Sequence, residues 1–523
     1  MVTPNSAPHK NKFKPLRKLK LSTVLTALTS TEPFALIDCR TRQDHVNEHP
    51  LFSVNVPLDS FEARASFLFA THRPSILLIS ESETHGEWAL TYLQTLGFTA
   101  DQVSTVTFTD WVSLGLPTWG GEYTASKAFG EWVEATGQVT SIDPDAYQHH
   151  PAQLQIDVRP AAEYRRFTIP GSLHCPTGRL GALTDYPEPW YVHCAGRTRG
   201  IIAAQTLHDI SPQTAVRFIA GGTQGWELSG GQRCFEPELQ MPQLVGYEEA
   251  LHRAQVLINN HALRILDSDD IGPWLQQNPI HLQIEVSEME HSATQVATTS
   301  LIQSTDQYIA THNVPILIRG DHPLDVCVAV LWLRRMGWDA SGVFSSDHGR
   351  TATDAQTQFA KFEGACDDLV LLDIRSSQDF SRSRVRGSQW YPRSAWTPHQ
   401  PGPRIGLICR SDQSETWISN MLSELGWSDV QCIQFGALDP AYIETSPVTF
   451  ETPPTDQAVF FPDRHRGNLL DAKGYLDWEH TLLETLRASG EIPWAPITAH
   501  ALQQQPKSHL TTYYQSLKLG HTK

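Results

Sequence analysis

Trp190-Tyr191-Val192-His193-Cys194-Ala195-Gly196-Arg197-Thr198-Arg199 is the stretch that decides the fold. Its first four residues are a short β-rich apolar run, the length of a buried parallel strand. A loop with one glycine and two arginines follows, and Ile201 to Leu207 continues as an apolar helical stretch. Strand, loop and helix in that order belong to a βαβ unit, which predicts a parallel sheet with right-handed crossovers. Ligands of open α/β sheets sit beyond the carboxyl ends of the strands, and Cys194 falls there.

The pattern occurs four times. A short apolar strand ends in an acid at Ala35-Leu36-Ile37-Asp38, Leu154-Gln155-Ile156-Asp157, Leu282-Gln283-Ile284-Glu285 and Leu371-Leu372-Asp373. An arginine stands two residues later in three copies, as Arg40, Arg159 and Arg375, whereas the third copy has Ser287. Each copy then has a second apolar strand and an amphipathic helix. Three helices stop at Gly97, Gly337 and Gly426, where glycine relieves left-handed strain; the remaining one stops before Pro212. Counting thirteen residues back from Leu93, Leu207, Leu333 and Leu422 lands on Ser80, Cys194, Gly320 and Cys409. One offset therefore fits all four copies.

These repeats predict α/β domains over 20–122, 123–236, 245–350 and 355–446. A disordered basic arm is expected over 1–19, and a linker with a partly helical tail over 447–523. In that tail Tyr475, Trp478, Leu482 and Leu486 share one helical face and are expected to pack back on a domain. At 523 residues the chain exceeds a single core. Its net charge of −17 argues against nucleic acid as a partner. No apolar run reaches the ~18 residues of a membrane span. The eight cysteines form no CxxC pair, so reduced thiols and a cytoplasmic location are expected, without metal or cofactor. The pairs His45/His49 and His149/His150 lack companions at ligand spacing.

With these residues in hand, the chain resembles the rhodanese-like sulfurtransferase family, and in particular its long members with four tandem domains. Ile156-Asp157-Val158-Arg159, Glu163-Tyr164 and Ile169-Pro170-Gly171-Ser172 resemble the family's D-x-R, E-Y and I-P-G-A segments. Val192-His193-Cys194 resembles the strand carrying the active cysteine, and Gly221-Gly222-Thr223-Gln224-Gly225-Trp226 the terminal G-G-x-x-x-W. Cys194 to Arg199 is similar to the C-x-G-R-T-R loop of the four-domain proteins, and Gly474 to His480 to their tail. Gly196 is third in the loop, where many single-domain members place glycine fourth.

The chemistry expected of the second copy follows from its residue types. A cysteine before a helix faces the unpaired N–H groups of the first turn, and cysteines so placed ionise readily. Gly196 lets the loop amides of Ala195, Gly196, Arg197, Thr198 and Arg199 converge on the sulfur. The guanidiniums of Arg197 and Arg199 suit an oxyanion such as thiosulfate. Asp157 and Arg159 are read as supporting residues. In the fourth copy Cys409 and Arg410 form a possible second site, weakened by Asp412, while Ser80 and Gly320 leave the other copies without a thiol. Cys39, Cys327 and Cys432 read as core, Cys175 as a candidate resolving thiol, and Cys234 and Cys366 have no argued role.

The reading is thus a thiosulfate sulfurtransferase that carries sulfur as a Cys194 persulfide and passes it to a thiol or cyanide. The alternatives are mercaptopyruvate as donor, or a persulfide carrier that moves sulfur between proteins. Phosphatase-type chemistry needs a loop one residue longer, and no insertion is present.

Overall fold

The computed structural model describes residues 20–149, 154–288, 295–344, 369–397, 404–427, 429–497 and 508–517. The arm expected over 1–19, together with His150, Cys366 and the junction at 350–355, lies outside them.

The described residues form four sheets of four or five strands. In each, the acid-ending strand lies parallel to the second apolar strand, and the register is shared. Asp38 pairs with Ile79, Asp157 with His193, Glu285 with Arg319 and Asp373 with Ile408. Each of those partners directly precedes Ser80, Cys194, Gly320 or Cys409, so the thirteen-residue count found equivalent places. A third strand, Val103–Thr107, Val216–Ile219, Ala340–Phe344 or Val430–Gln434, runs parallel on the far side. The glycine stops hold as well: Gly97, Gly337 and Gly426 have φ of +91°, +92° and +83°.

The acid and arginine form a buried clamp at the three places where both occur. Arg40 Nε and Nη2 donate to Asp38 at 3.0 and 2.8 Å. Arg159 repeats this to Asp157 at 2.9 and 2.7 Å, and Arg375 to Asp373 at 3.0 and 2.7 Å. In all three the second nitrogen also reaches a carbonyl eight residues on, at Glu48, Phe167 or Ser383. With Ser287 in the arginine's place, Glu285 instead accepts from Gln295 Nε2 at 2.9 Å.

The sheets do not follow one another as beads on a string. Thr311–His312, from the third repeat, pairs antiparallel with Phe34–Ala35 of the first sheet. Helix Thr198–Ile210 packs on helix Pro323–Arg335, where Trp332 Nε1 donates to Thr206 Oγ1 at 2.9 Å and Arg335 Nη2 to Asp209 at 3.0 Å. Helix Glu83–Thr95 faces helix Glu415–Glu424 in the same way. There Trp417 Nε1 donates to the Trp88 carbonyl and Trp88 Nε1 to Glu424, each at 2.9 Å. The first repeat thus meets the fourth, and the second meets the third.

The tail packs back, as its apolar face predicts. Its helix runs Leu469–Ser489, starting at an Asn468 side chain that accepts from the amides of Leu470 and Asp471. Tyr475, Leu482 and Leu486 are buried and Trp478 half-buried. Glu479 is buried on the same face. Among the described residues no helix is long and apolar enough to cross a membrane.

Candidate active site

Cys194 stands just past strand Trp190–His193, with Ala195 to Arg197 leading into helix Thr198–Ile210. Its backbone is fixed by the Gly221-Gly222 turn. Thr223 N–H donates to the Cys194 carbonyl at 2.9 Å, and Gln224 N–H to that of Ala195 at 3.1 Å. The turn comes so close that a Cβ on Gly222 would lie 2.2 Å from the Cys194 carbonyl oxygen. Gly222 also has φ +54°, which favours glycine. The Gly221-Gly222 stretch is therefore the brace of the cysteine loop.

Both loop arginines line the cavity beside Cys194, and both are held by carboxylates. Arg197 is bidentate to Glu131, at 2.8 Å for each bond, and also contacts Glu134. Both glutamates lie on helix Thr124–Thr136. Arg199 is bidentate to Glu163 at 2.7 and 2.9 Å. Burial raises the Glu163 pKa, and the charge and hydrogen bonding of Arg199 together with the Arg159 charge outweigh it, leaving a net lowering. Burial dominates at Glu131 and pushes its carboxyl up to about 7. The loop's positive charge is thus partly neutralised from two sides, which residue types alone did not disclose.

Asp157 lies beneath the loop rather than in the cavity wall. Its clamp with Arg159 is joined by Thr168 Oγ1 at 2.7 Å. Burial works against the Asp157 charge; His193, Arg159 and Thr168 overcome it and hold the carboxyl below the usual range. His193 in turn pairs Nε2 with Ser172 Oγ at 2.8 Å. These contacts fix the strand ends under Cys194.

The cavity has a volume of about 220 Å³. Its wall includes residues that lie far from the loop in sequence: Lys127, Arg464, Tyr475 and Glu479. Lys127 Nζ donates to Glu479 Oε1 at 2.8 Å and contacts the Tyr475 hydroxyl. Tyr475 also donates to Glu479 Oε1, at 3.0 Å. A Cβ on Gly196 would meet Glu479 Oε2 at 2.8 Å, so the tail lies directly on the loop. The i, i+4 spacing of Tyr475 and Glu479 was the available signal, but only tertiary packing shows what that face covers.

The other positions differ. Cys409 ends strand Ile405–Cys409, is buried, and donates Sγ to the Ile433 carbonyl at 3.6 Å. Burial pushes its thiol up to about 12. Arg410 turns outward to Asp412 at 2.9 and 2.7 Å and lines a separate cavity whose wall does not include Cys409. The fourth repeat therefore does not bring its thiol and arginine together. Ser80 Oγ donates to the Ser82 carbonyl, and a Cβ on Gly320 would meet the Val286 carbonyl at 2.7 Å. Cys39, Cys175 and Cys327 are buried, Cys432 is half-buried and Cys234 exposed. Burial pushes the Cys175 thiol up, beside Glu288 and Asp325.

Residues 144–229, which contain this loop and its brace, match the family model of the Rhodanese-like domain. The chain contains a rhodanese-like domain. Among solved structures it is similar to the thiosulfate sulfurtransferase from Pseudomonas aeruginosa, at 22% identity and TM-score 0.74, over 90% of this chain and 97% of that one. That likeness extends the shared fold to nearly the full length. A protein from Anabaena sp. aligns at 21% identity and TM-score 0.18, over 20% of this chain and 92% of its own. One from Rhodopseudomonas palustris, described as a possible tyrosine phosphatase, aligns at 26% identity and TM-score 0.17, over 21% and 89%. No curated protein sequence matches.

Proposed function

We propose that the chain is a sulfurtransferase that takes sulfane sulfur from thiosulfate, holds it as a persulfide on Cys194 and passes it to a thiol or cyanide. The family match and the full-length fold likeness support sulfur transfer in general. The observation that carries the finer reading is the seat of Cys194, at a strand's carboxyl end before a helix, on the wall of a polar cavity. We read the chain as four rhodanese-like domains, with the second holding this site and the fourth, at Cys409 and Arg410, degenerate.

In the first half-reaction the Cys194 thiolate attacks the outer sulfur of thiosulfate. The sulfur–sulfur bond of thiosulfate breaks, its electron pair leaves with sulfite, and a persulfide remains. The start of helix Thr198–Ile210, just beyond the cysteine, favours the thiolate before attack. In this resting arrangement Arg197 and Arg199 are engaged by Glu131, Glu134 and Glu163, so they hold the shape of the loop rather than present free guanidiniums. Asp157 and Arg159 position the strand end. The acceptor then attacks the outer sulfur and regenerates the thiolate, so ping-pong kinetics are expected.

Intact mass after incubation with thiosulfate tests this. Wild type and Cys409→Ala should gain one reducible sulfur, and Cys194→Ala none. A wild type that gains nothing while Cys194 is still alkylated would remove thiosulfate as donor, leaving mercaptopyruvate or a partner protein to be tried.

A further inference from the structure

The tail brings a carboxylate to a cavity whose expected donor is an anion. Glu479 is 1% exposed. Its Oε1 takes hydrogen bonds from Lys127 and Tyr475, while its Oε2 has no hydrogen-bond partner among the described residues. A buried carboxylate oxygen without a donor is costly, and such a group inside a cavity calls for a donor from what enters. Gln224, on the same wall and equally buried, has both amide atoms unpartnered, and Thr198 Oγ1 is unpartnered as well. The cavity beside Cys194 is therefore lined for a polar molecule that carries hydrogen-bond donors.

We propose that Glu479 is a specificity-determining residue of the Cys194 site, its Oε2 receiving the ammonium of an aminothiol sulfur acceptor. This rests on Cys194 carrying a persulfide. Lys127 and Tyr475 fix the carboxylate through its other oxygen, so Oε2 is held beside Gly196 of the cysteine loop before the acceptor arrives. Gln224 supplies neutral hydrogen bonds to the rest of the molecule. In the transfer step the acceptor's thiol proton goes to solvent and its thiolate attacks the outer sulfur. A new sulfur–sulfur bond forms, the bond to Cys194 Sγ breaks, and that electron pair stays on Cys194. Glu479 takes no proton; it selects and orients. Lys127 already balances the carboxylate through Oε1, so the selection lies in Oε2, which accepts from an ammonium but offers no donor to an anion, favouring a cationic acceptor over an anionic acceptor or donor.

The two effects have opposite signs, and that makes the residue testable. The full-length chain is loaded with thiosulfate or sodium polysulfide, its persulfide is followed by mass, and discharge is timed with cysteamine and with 3-mercaptopropionate. Glu479→Gln should slow discharge to cysteamine about tenfold in kcat/KM, equivalent to about 1.4 kcal/mol. It should leave 3-mercaptopropionate no slower and thiosulfate loading equal or faster. A structural role for Glu479 would slow all three together, and that result, or no change in any, would overturn the proposal. Should the variant not fold, the wild type decides: N-acetylated cysteamine, which has lost the charge, must discharge about tenfold more slowly than cysteamine relative to their uncatalysed rates. Equal rates would overturn the proposal. Failure of the wild type to load from either donor would instead remove the persulfide reading itself, an outcome the mass measurement reports separately.

Discussion

Cys194 is set by backbone more than by its own side chain. The glycine brace leaves no room for a methyl group, so Gly222→Ala must move either the turn or the cysteine loop. Crowding of this kind costs about 1–3 kcal/mol, and the left-handed φ adds about 1 more. The expected outcome is a lower urea midpoint together with loss of most sulfur loading, measured on one preparation. The clamp beneath the loop makes a second test. Arg159→Met leaves the Asp157 carboxylate buried without its bidentate partner. Breaking one side of such a pair costs about 3–5 kcal/mol, and urea unfolding should register a loss of that size. Arg375→Met should behave alike, because the fourth repeat has the same geometry.

At the scale of elements, the tail helix joins stability to the site. Its apolar side enters the large core that also holds residues of the first three repeats, and Leu486 is fully buried there. Leu486→Ala should therefore cost about 2–5 kcal/mol in urea unfolding. The Asn468 cap is exposed and local, and Asn468→Ala should cost only about 1 kcal/mol. Because Tyr475 and Glu479 ride on the same helix, Leu486→Ala should also weaken discharge of the persulfide while Cys194 still loads. The helix start at Thr198 acts differently: it fixes the cysteine loop from within one repeat.

At the scale of the whole molecule, the pairing of repeats buries groups that none would bury alone. Arg393 is fully buried and donates to Glu62 of the first repeat at 2.8 Å. His312, from the third repeat, and His509, from the tail, lie with ring centroids 4.8 Å apart. Burial holds both histidines well below their ordinary pKa, His509 at about 3. A depressed histidine favours the folded chain while neutral. Its contribution is complete above the unfolded value near ~6.5 and is lost as pH falls towards the folded value. At pH 5 the loss is about 2 kcal/mol for His509. The histidine share of the urea midpoint should thus fall from pH 6.5 to pH 5, and it is read as the difference between wild type and a variant without the histidine. His509→Phe should flatten part of that slope.

The sequence by itself determined whatever depends on neighbours along the chain. Strand–loop–helix order, the shared offset to Ser80, Cys194, Gly320 and Cys409, the glycine stops and the apolar tail face were all legible, because each follows from local periodicity and backbone sterics. The acid–arginine repeat was visible too, and at two residues' separation its clamp is nearly a local structure. Only the tertiary structure decided what faces Cys194. Glu131 and Glu134 are more than sixty residues from Arg197, and Glu479 lies nearly three hundred from Gly196. No periodicity encodes such distances. Charge type told which side chains could hold an oxyanion, but burial and packing decided that the loop arginines are already paired and that a carboxylate joins the cavity wall beside them.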